Sequence, residues 1–185
     1  MSRTASLAAI GLLAVALATL GYGLGERPPY IFYEIAKPAW EAARITHGVP
    51  GPPAADDPYF YAYPLRALLL MLTHVVMGLR PESALWPGCL AGCAVVFAAV
   101  GWGWTMRTPW MGLLAGALTL WNRWFMGYAR MGWANFLIET AGAILFMMSV
   151  VRGRPALTAA ATALLVFNGP RYSGFLLLWL PAWLA

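Results

Sequence analysis

Apolar runs separated by short polar or proline-rich segments make up most of this chain. A bilayer core is about 30 Å thick, and an α-helix needs about 20 apolar residues to cross it. Residues 5–22, 84–106 and 134–151 approach or exceed this length, and residues 109–120 begin a further span. Residues 155–167 and 173–185 are two more apolar runs, each shorter than a full crossing. The pattern therefore predicts a bundle of membrane helices.

A long polar connection at residues 26–63 follows the first span and is expected on the outer side. Within it, residues 30–45 have charged and apolar positions at helical spacings, which is typical of an amphipathic helix at a membrane interface. Its apolar side would consist of Ile31, Ile35, Trp40 and Ala43, and its charged side of Glu34, Lys37, Glu41 and Arg44. Residues 65–79 are an apolar run of only 15 residues, which favours a partly submerged or re-entrant helix.

Together these elements predict an all-α, polytopic integral membrane bundle of about five to six membrane helices plus the interfacial helix. We expect a single transmembrane domain over residues 1–185, with the first span in 1–25, the outer loop in 26–80 and the remaining spans in 81–185. Because the sequence stops inside an apolar run, we also expect it to be part of a longer protein. A hydrophobic hairpin at the end is the alternative.

The composition excludes an ordinary soluble domain and argues against nucleic-acid binding. The 185 residues are 61% hydrophobic and 10% charged, whereas soluble domains carry about 25% charged residues. The net charge of +5 comes from eleven arginines and one lysine, which are dispersed and not clustered as nucleic-acid binding requires. Loop arginines at a membrane surface are better suited to lipid phosphates, which the guanidinium group binds as a fork.

The first span has no convincing cleavage site, so we expect it to be retained, with the amino terminus in the cytoplasm. Arg3 precedes this span and Glu26 follows it, as the positive-inside rule favours. The arginines placed inside by this orientation are Arg3, Arg107, Arg152 and Arg154. The seven other arginines and Lys37 lie outside, which opposes the rule unless the outer side binds an anionic lipid phosphate.

Residues 50–66 combine acidic, aromatic and proline residues and are the first candidate for chemistry. They contain Asp56 and Asp57, the only adjacent carboxylates of the chain, followed by Tyr59 and further aromatic residues. Five prolines prevent a regular helix here, and connecting segments of this kind carry function on rigid scaffolds. A surface turn with an Asx cap is the alternative interpretation.

Residues 119–136 and the span after them hold the second candidate group. Arg123 and Arg130 are seven residues apart and would share one face of a helix. The aromatic residues expected to form an interfacial belt are Trp121, Trp124, Tyr128 and Trp133. Asn135 and Glu139 are four apart in the span, where an acidic residue is costly and usually faces a partner or a wet cavity. An ion pair of Glu139 with an arginine of a neighbouring helix is the structural alternative.

Several small or polar residues inside the apolar runs are interpreted as packing residues. Glycine pairs with the spacing that lets helices approach closely are Gly88 with Gly92, and Gly112 with Gly116. Cys89 and Cys93 lie beside the first pair, and poor bridging geometry along one helix favours packing over a metal or redox role. His74 is expected to be a hydrogen-bonded packing residue.

Five short motifs follow one another in a suggestive order. They are Asp-Asp-Pro-Tyr-Phe at 56–60, Tyr-Pro-Leu at 63–65, Ala-Arg-Met at 129–131, Arg-Gly-Arg at 152–154 and Phe-Asn-Gly-Pro-Arg-Tyr-Ser-Gly at 167–174. Their order resembles the amino-terminal module of the GT-C superfamily, which comprises polytopic glycosyltransferases that use lipid-phosphate-linked sugars. The resemblance covers nearly the whole chain with degenerate motifs, and it implies transfer of a sugar from a polyprenyl-phosphate donor.

By this resemblance, Asp56 or Asp57 would be the general base toward the acceptor, or a ligand of a divalent metal ion such as Mg²⁺ or Mn²⁺. The residues assigned to the lipid-phosphate substrate are Arg123, Arg130, Arg171, Glu139 and Tyr59. Gly132 stands where many members of the superfamily have a second acidic residue, so Glu139 or Glu34 would have to take that role.

A non-catalytic membrane subunit of a larger complex, such as an energy-converting or photosynthetic assembly, is the second hypothesis. The ten tryptophans, the glycine pairs and the missing second acid favour it, and His74 would be its candidate pigment ligand. A transporter is less well supported, because Glu139 is the one charged residue inside the predicted spans. The expected partners are membrane lipid and a polyprenyl-phosphate sugar, or protein subunits, and not nucleic acid.

Overall fold

The computed structural model describes residues 3–24, 33–50 and 63–168, excepting the side chains of Tyr33 and Glu34. All regular secondary structure in these ranges is helical. The helices are α1 (Arg3–Gly21), α2 (Tyr33–His47), α3 (Pro64–Met77), α4 (Pro81–Thr105), α5 (Pro109–Trp121), α6 (Arg123–Arg130), α7 (Ala134–Val151) and α8 (Pro155–Asn168). The predicted all-α bundle is confirmed.

Three of these helices are long and apolar enough to cross a membrane: α1 with 19 residues, α4 with 25 and α7 with 18. The apolar helices α3, α5 and α8 have 14, 13 and 14 residues. At 1.5 Å per residue they are about 20 Å long, which is less than the thickness of a bilayer core. The bundle thus combines three full-length helices with three shorter apolar ones.

Proline is the first residue of α3, α4, α5 and α8. Its missing N–H group would have no partner in the first turn of a helix, and its fixed φ angle already suits the helix. The prolines therefore mark where each helix restarts after a short connection, and they allow consecutive helices to lie close together.

The helix α4 lies at the centre of the bundle and is buried along nearly its whole length. Its sequence is apolar on every side, which is typical of a helix surrounded by other helices. It packs against α1, α3, α5, α6 and α7. The positions of these five helices therefore depend on the surface that α4 offers them.

Close contacts at glycines fix two of the neighbours of α4. A Cβ atom on Gly88 would collide with the carbonyl oxygen of Ala129 and would lie 2.7 Å from the Cα atom of Gly132. A Cβ atom on Gly103 would collide with the backbone of Gly112 in α5. Only glycine allows backbones to come this close.

The second glycine of each predicted pair is packed in the same way. A Cβ atom would lie 2.9 Å from the Cβ atom of Ala129 at Gly92, and 2.9 Å from Cγ2 of Val100 at Gly116. The predicted close packing is confirmed, and both pairs are used within this chain. Cys89 and Cys93 are free thiols in the same packed region, also as predicted.

The directions of the helices give the bundle two different ends. α4 and α7 run parallel, because Gly88 lies against the segment just before α7 and Gly101 lies against Met148 near the end of α7. α1 runs the opposite way, since Gly21 near its end lies against Trp86 near the start of α4. We call the end with the turns at 106–108 and 152–154 the turn end, and the end where α4 and α7 begin the loop end.

α2 and α3 pack together against the start of α4, at the loop end. The residues that join these three helices are Ala39, Ala42, Ala67, Leu70 and Ala84. Thr73 strengthens the junction of α3 with α4, because its hydroxyl donates to the carbonyl oxygen of Ser83 at 2.7 Å. The predicted interfacial helix at residues 30–45 is present as α2, shifted towards its carboxyl end.

The predicted division of α2 into a charged and an apolar side is wrong in two places. Glu41, assigned to the charged side, is 0% exposed, and Trp40, assigned to the apolar side, is exposed. The guanidinium group of Arg44 donates to both carboxylate oxygens of Glu41, at 3.0 and 2.7 Å. A two-pronged charged partner offsets the lost hydration of a buried carboxylate, which is why Glu41 can face inward.

The turns after α4 and α7 have the same backbone structure. Thr108 N–H donates to the carbonyl oxygen of Gly103 at 2.8 Å, and Arg154 N–H donates to that of Ser149 at 2.9 Å. A hydrogen bond from an N–H group to the carbonyl oxygen five residues earlier defines a Schellman cap. The residue just before the donor adopts a left-handed backbone conformation in this cap. That residue is Gly153 after α7, with a φ of 60°, but it is Arg107 after α4, with a φ of 58°.

Replacing Arg107 with glycine should stabilise the protein. A left-handed backbone costs a residue with a Cβ atom about 1 kcal/mol, so R107G should raise the Tm by roughly 2–4 °C. The measurement is thermal unfolding in detergent, followed by circular dichroism. Gly153→Ala at the equivalent position should lower the Tm by a similar amount. An unchanged or lowered Tm for R107G would contradict the role assigned to its φ angle.

Replacing Gly88 with alanine should destabilise the bundle, because the new Cβ atom meets backbone atoms of Ala129 and Gly132 that cannot move aside. Overpacking of this kind costs about 1–3 kcal/mol. Gly11→Ala is the matched control, since nothing lies within 4 Å of a Cβ atom there. It should be neutral or slightly stabilising through helix propensity. Equal unfolding temperatures of the two variants would count against a tight contact at Gly88.

Candidate functional site

Several residues assigned to chemistry lie outside the described residues. They are Asp56, Asp57, Tyr59 and Arg171, and the side chain of Glu34 is excluded as well. The described chain stops at Pro50 after α2 and resumes at Tyr63, which is buried at the start of α3. The two helices that precede and follow the aspartates in sequence, α2 and α3, pack together at the loop end.

The polar residues of α3 face inward, whereas several of its large apolar residues face outward. Its buried residues are Arg66, Ala67, Leu70, Thr73 and His74. Its exposed large apolar residues are Leu68, Leu72, Val75 and Val76. A helix on a water-soluble protein shows the opposite arrangement. The outer surface of α3 is therefore suited to lipid, and its inner surface brings polar groups into the bundle.

Arg66 is 3% exposed and was not among the predicted site residues. It lies in the first turn of α3, where the sequence Tyr-Pro-Leu-Arg suggested only the boundary of an apolar run. The sequence did contain one indication of this burial. Arg66 is seven and eight residues before Thr73 and His74, and residues with this spacing lie on the same side of a helix. A buried guanidinium group requires anionic or carbonyl partners, so its position favours a functional role.

Asn135, Glu139 and Asn168 form a second group of buried polar residues at the contact between α7 and α8. Glu139 is 1% exposed, in agreement with the prediction that it lies inside the bundle. The side-chain amide of Asn168 donates to the carbonyl oxygen of Asn135 at 3.1 Å. The side-chain oxygens of both asparagines have no hydrogen-bond partner within the described ranges. Buried polar atoms are usually satisfied, so these two can accept bonds from further groups.

The helices that carry these residues meet at the loop end. Leu65 and Leu69 of α3 pack against the apolar cluster that includes Leu137 and Ile138 of α7. The first two turns of α3 and the last two turns of α8 line one groove. We use the name polar cluster for the four buried polar residues of these three contacting helices, Arg66, Asn135, Glu139 and Asn168, and the name refers to their shared burial. The polar cluster combines one positive and one negative group within an apolar bundle.

Arg130 is held by the backbone at the end of α1. Its guanidinium nitrogens donate to the carbonyl oxygens of Thr19 at 2.9 Å and of Gly23 at 3.4 Å. Carbonyl groups in the last turn of a helix lack partners within that helix, and an arginine can satisfy them. This structural role was missed by the sequence analysis, because it depends on two segments more than a hundred residues apart.

Arg123 and the neighbouring aromatic residues lie on the surface of the bundle, where α5 ends and α6 begins. Arg123 begins α6, and Asn122 caps this helix by accepting from the N–H groups of Trp124 and Phe125 at 2.9 and 3.2 Å. Trp121 and Trp124 are exposed, whereas Tyr128 forms an edge contact with Trp133. Arg123 and Arg130 therefore share the helix α6 but differ in environment, the first exposed and the second bonded to α1. Their assignment to a lipid phosphate stays a prediction.

His74 is buried and hydrogen-bonded, as the packing interpretation predicts. Its Nδ1 atom lies 2.8 Å from the carbonyl oxygen of Leu70, one helical turn earlier. Within the described ranges no group of three or more histidine, cysteine, aspartate or glutamate residues is arranged to hold a metal ion. The metal predicted at Asp56 and Asp57 stays a prediction, because those residues are not described.

Replacing Arg130 with glutamine should destabilise the protein, because it removes donors from two carbonyl oxygens at the end of α1. Hydrogen bonds to a charged group contribute about 1.5–3 kcal/mol each, and the lower end is expected for these partly exposed bonds. The loss is measured by thermal or denaturant unfolding in detergent. Arg123→Gln removes the same charge from an exposed position of the same helix and should change stability by less than about 0.5 kcal/mol. Equal losses in both variants would indicate a general charge effect instead of a cap on α1.

Comparison of the sequence with protein-family models and with curated proteins, and of the fold with solved structures, finds no match. The function is therefore inferred from the arrangement of the residues themselves.

Proposed function

We propose that this chain is the membrane domain of a glycosyltransferase that transfers a sugar from a polyprenyl-phosphate donor. The observation that carries the proposal is the polar cluster of Arg66, Asn135, Glu139 and Asn168, buried in an apolar bundle at the loop end. Polar and ionisable residues at membrane depth are costly, and they commonly mark a substrate pathway or site. The segment with Asp56 and Asp57 connects two helices at this same end.

The proposed reaction needs a base and a group that accepts charge on the leaving phosphate. Asp56 or Asp57 takes the proton of the acceptor hydroxyl as its oxygen attacks the anomeric carbon of the sugar. The bond from that carbon to the phosphate oxygen breaks, and polyprenyl phosphate leaves. Alternatively, Asp56 or Asp57 would be a ligand of a divalent cation such as Mg²⁺ or Mn²⁺, which would stabilise negative charge on the phosphate.

Arginine residues are the natural partners of the lipid phosphate, because a guanidinium group binds phosphate with two parallel hydrogen bonds. Arg123 is exposed at the start of α6, beside the exposed Trp121 and Trp124, and tryptophan is enriched at membrane interfaces. Arg171, Tyr59 and Glu139 complete the set proposed to contact the substrate. Arg66 is added to this set, since its buried position brings a positive charge towards the interior of the loop end.

We further propose a multi-pass topology with the amino terminus in the cytoplasm and the loop end on the outer side. The charges at the turn end support this orientation. The arginines there are Arg3, Arg107, Arg152 and Arg154, and the acidic side chains of the described helices, Glu41, Glu82 and Glu139, lie nearer the loop end. Within the described helices the turn end therefore carries positive charge without negative charge. Basic residues are more numerous on the other side, and the proposal assigns them to an anionic lipid phosphate.

A non-catalytic subunit of a membrane complex is the second candidate. It is favoured by α5, whose buried residues are the glycines Gly112 and Gly116. Large side chains on the rest of this helix, such as Trp110, Met111 and Leu118, are exposed and could meet either lipid or another protein. The glycine pairs do not support this candidate, because both pairs pack against other helices of the same chain.

Replacing the proposed acids should abolish transfer while the protein stays folded. Asp56→Ala and Asp57→Ala are tested separately, since only one need act as base, and Glu139→Gln removes the buried charge. Loss of a general base lowers rate by about 10²–10⁴-fold. The assay offers synthetic polyprenyl-phosphate monosaccharides to the protein in detergent with simple acceptors, and follows release of polyprenyl phosphate by mass spectrometry. Glu82→Gln is the control at a surface position of α4.

Turnover retained in both aspartate variants would make the loop acids structural. Absence of turnover in the unmodified protein, together with its isolation from native membranes in a large particle of fixed stoichiometry, would favour the subunit. Isolation as an active single chain would exclude it.

A further inference from the structure

The turn end of the bundle concentrates positive charge at two short turns. Arg107 lies in the turn between α4 and α5, and Arg152 and Arg154 lie in the turn between α7 and α8. All three are exposed, and within the described parts of the chain none of them forms a salt bridge. The surface therefore presents guanidinium groups that are available to an external anion.

Arg107 occupies its turn at a conformational cost. In the equivalent turn the left-handed position is taken by Gly153, as Schellman caps prefer. An arginine with a φ of 58° is unfavourable there, so the identity of this side chain is not explained by the backbone. Strained residues of this kind persist when the side chain has a role of its own. A positive charge at the surface of the turn end is the property that distinguishes arginine from glycine at this place.

A groove of about 200 Å³ runs along the contact between α7 and α8, beginning at Arg152. Its lining residues are Leu145, Met148, Ser149, Arg152, Leu157, Ala160, Ala161 and Leu164. On α8 the groove is lined by the small residues Ala160 and Ala161, with Leu157 and Leu164 on either side. Its lining is apolar except for Arg152 and Ser149.

We propose that this groove binds one acyl chain of an anionic phospholipid, whose phosphate is held by Arg152. The shape of the site matches that of the lipid, with an apolar channel for the chain and a guanidinium group at the level of the turn for the phosphate. Arg154 and Arg107 add positive charge on the same end, which attracts anionic headgroups. The site is distinct from the loop end and does not depend on the proposed transfer reaction.

The charge requirement is tested by binding lipid to the purified chain in a non-ionic detergent, with native mass spectrometry as the readout. Phosphatidylglycerol and phosphatidylcholine with identical acyl chains are compared. We expect tighter binding of phosphatidylglycerol, and a loss of about fivefold or more in its affinity for Arg152→Gln. Binding of phosphatidylcholine should not change. Arg80→Gln, an exposed arginine at the loop end, is the matched control and should bind phosphatidylglycerol like the unmodified protein.

The groove is tested separately from the charge. Ala160→Leu fills it without changing any charge, whereas Ala159→Leu adds the same side chain on another side of α8. Only Ala160→Leu should weaken phosphatidylglycerol binding. Thermal unfolding establishes that both variants are folded, and Ala160→Val provides a smaller change if the leucine variant is not.

Three results would overturn the proposal. Equal affinity for the two lipids would show that the phosphate charge is not recognised. Equal losses for Arg152→Gln and Arg80→Gln would show a general attraction to positive charge. Unchanged binding in Ala160→Leu would place the lipid on the surface of the turn and outside the groove.

Discussion

The close approach of backbones at glycine is the constraint on which the bundle depends. Lipid chains are as apolar as leucine, so membrane helices gain little by hiding apolar surface from each other and associate mainly through contact. Gly88 provides such a contact, because its missing side chain admits the carbonyl of Ala129 and the backbone of Gly132. That contact fixes α6 against α4, and α6 in turn brings Arg130 to the end of α1 and sets where α7 begins. Glu139 and Asn135 reach their buried positions through this sequence of contacts.

The inward polarity of α3 is the second determinant of the loop end. Leucine and valine on the outer surface of this short helix are suited to lipid. On its inner surface Thr73 and His74 are buried, and each is hydrogen-bonded to a backbone carbonyl. Burying a polar group is favourable only when it is bonded. Burying the charged groups of the polar cluster in an apolar bundle costs free energy. If stability were the only requirement, apolar residues of similar size would be expected at these positions.

The elements were predictable from the sequence because they are decided locally. Span length follows from bilayer thickness, proline marks helix starts, and glycine spacing shows which helix faces can touch, as at Gly88 and Gly112. Which side chains of each helix face the interior was harder to predict from the sequence. Glu41 faces inward because Arg44 accompanies it, and Trp40 faces outward, which reverses what composition alone suggests. Arg66 and Asn168 were missed for the same reason, since burial at the end of a short helix depends on a neighbour distant in sequence. The predicted acids Asp56 and Asp57 lie outside the described residues, so their assignment stays a prediction.

The two ends of the bundle differ in how they carry charge, and this difference separates two kinds of interaction with lipid. At the loop end, Arg66 and Glu139 are buried among helices, so any anion that met them would have to enter the protein. At the turn end, Arg107 and Arg152 lie in tight turns between helices, and their side chains are exposed. Buried charge suits recognition of a substrate that is bound and released, because desolvation strengthens each polar contact. Exposed charge beside an apolar groove suits a lipid that stays in its leaflet.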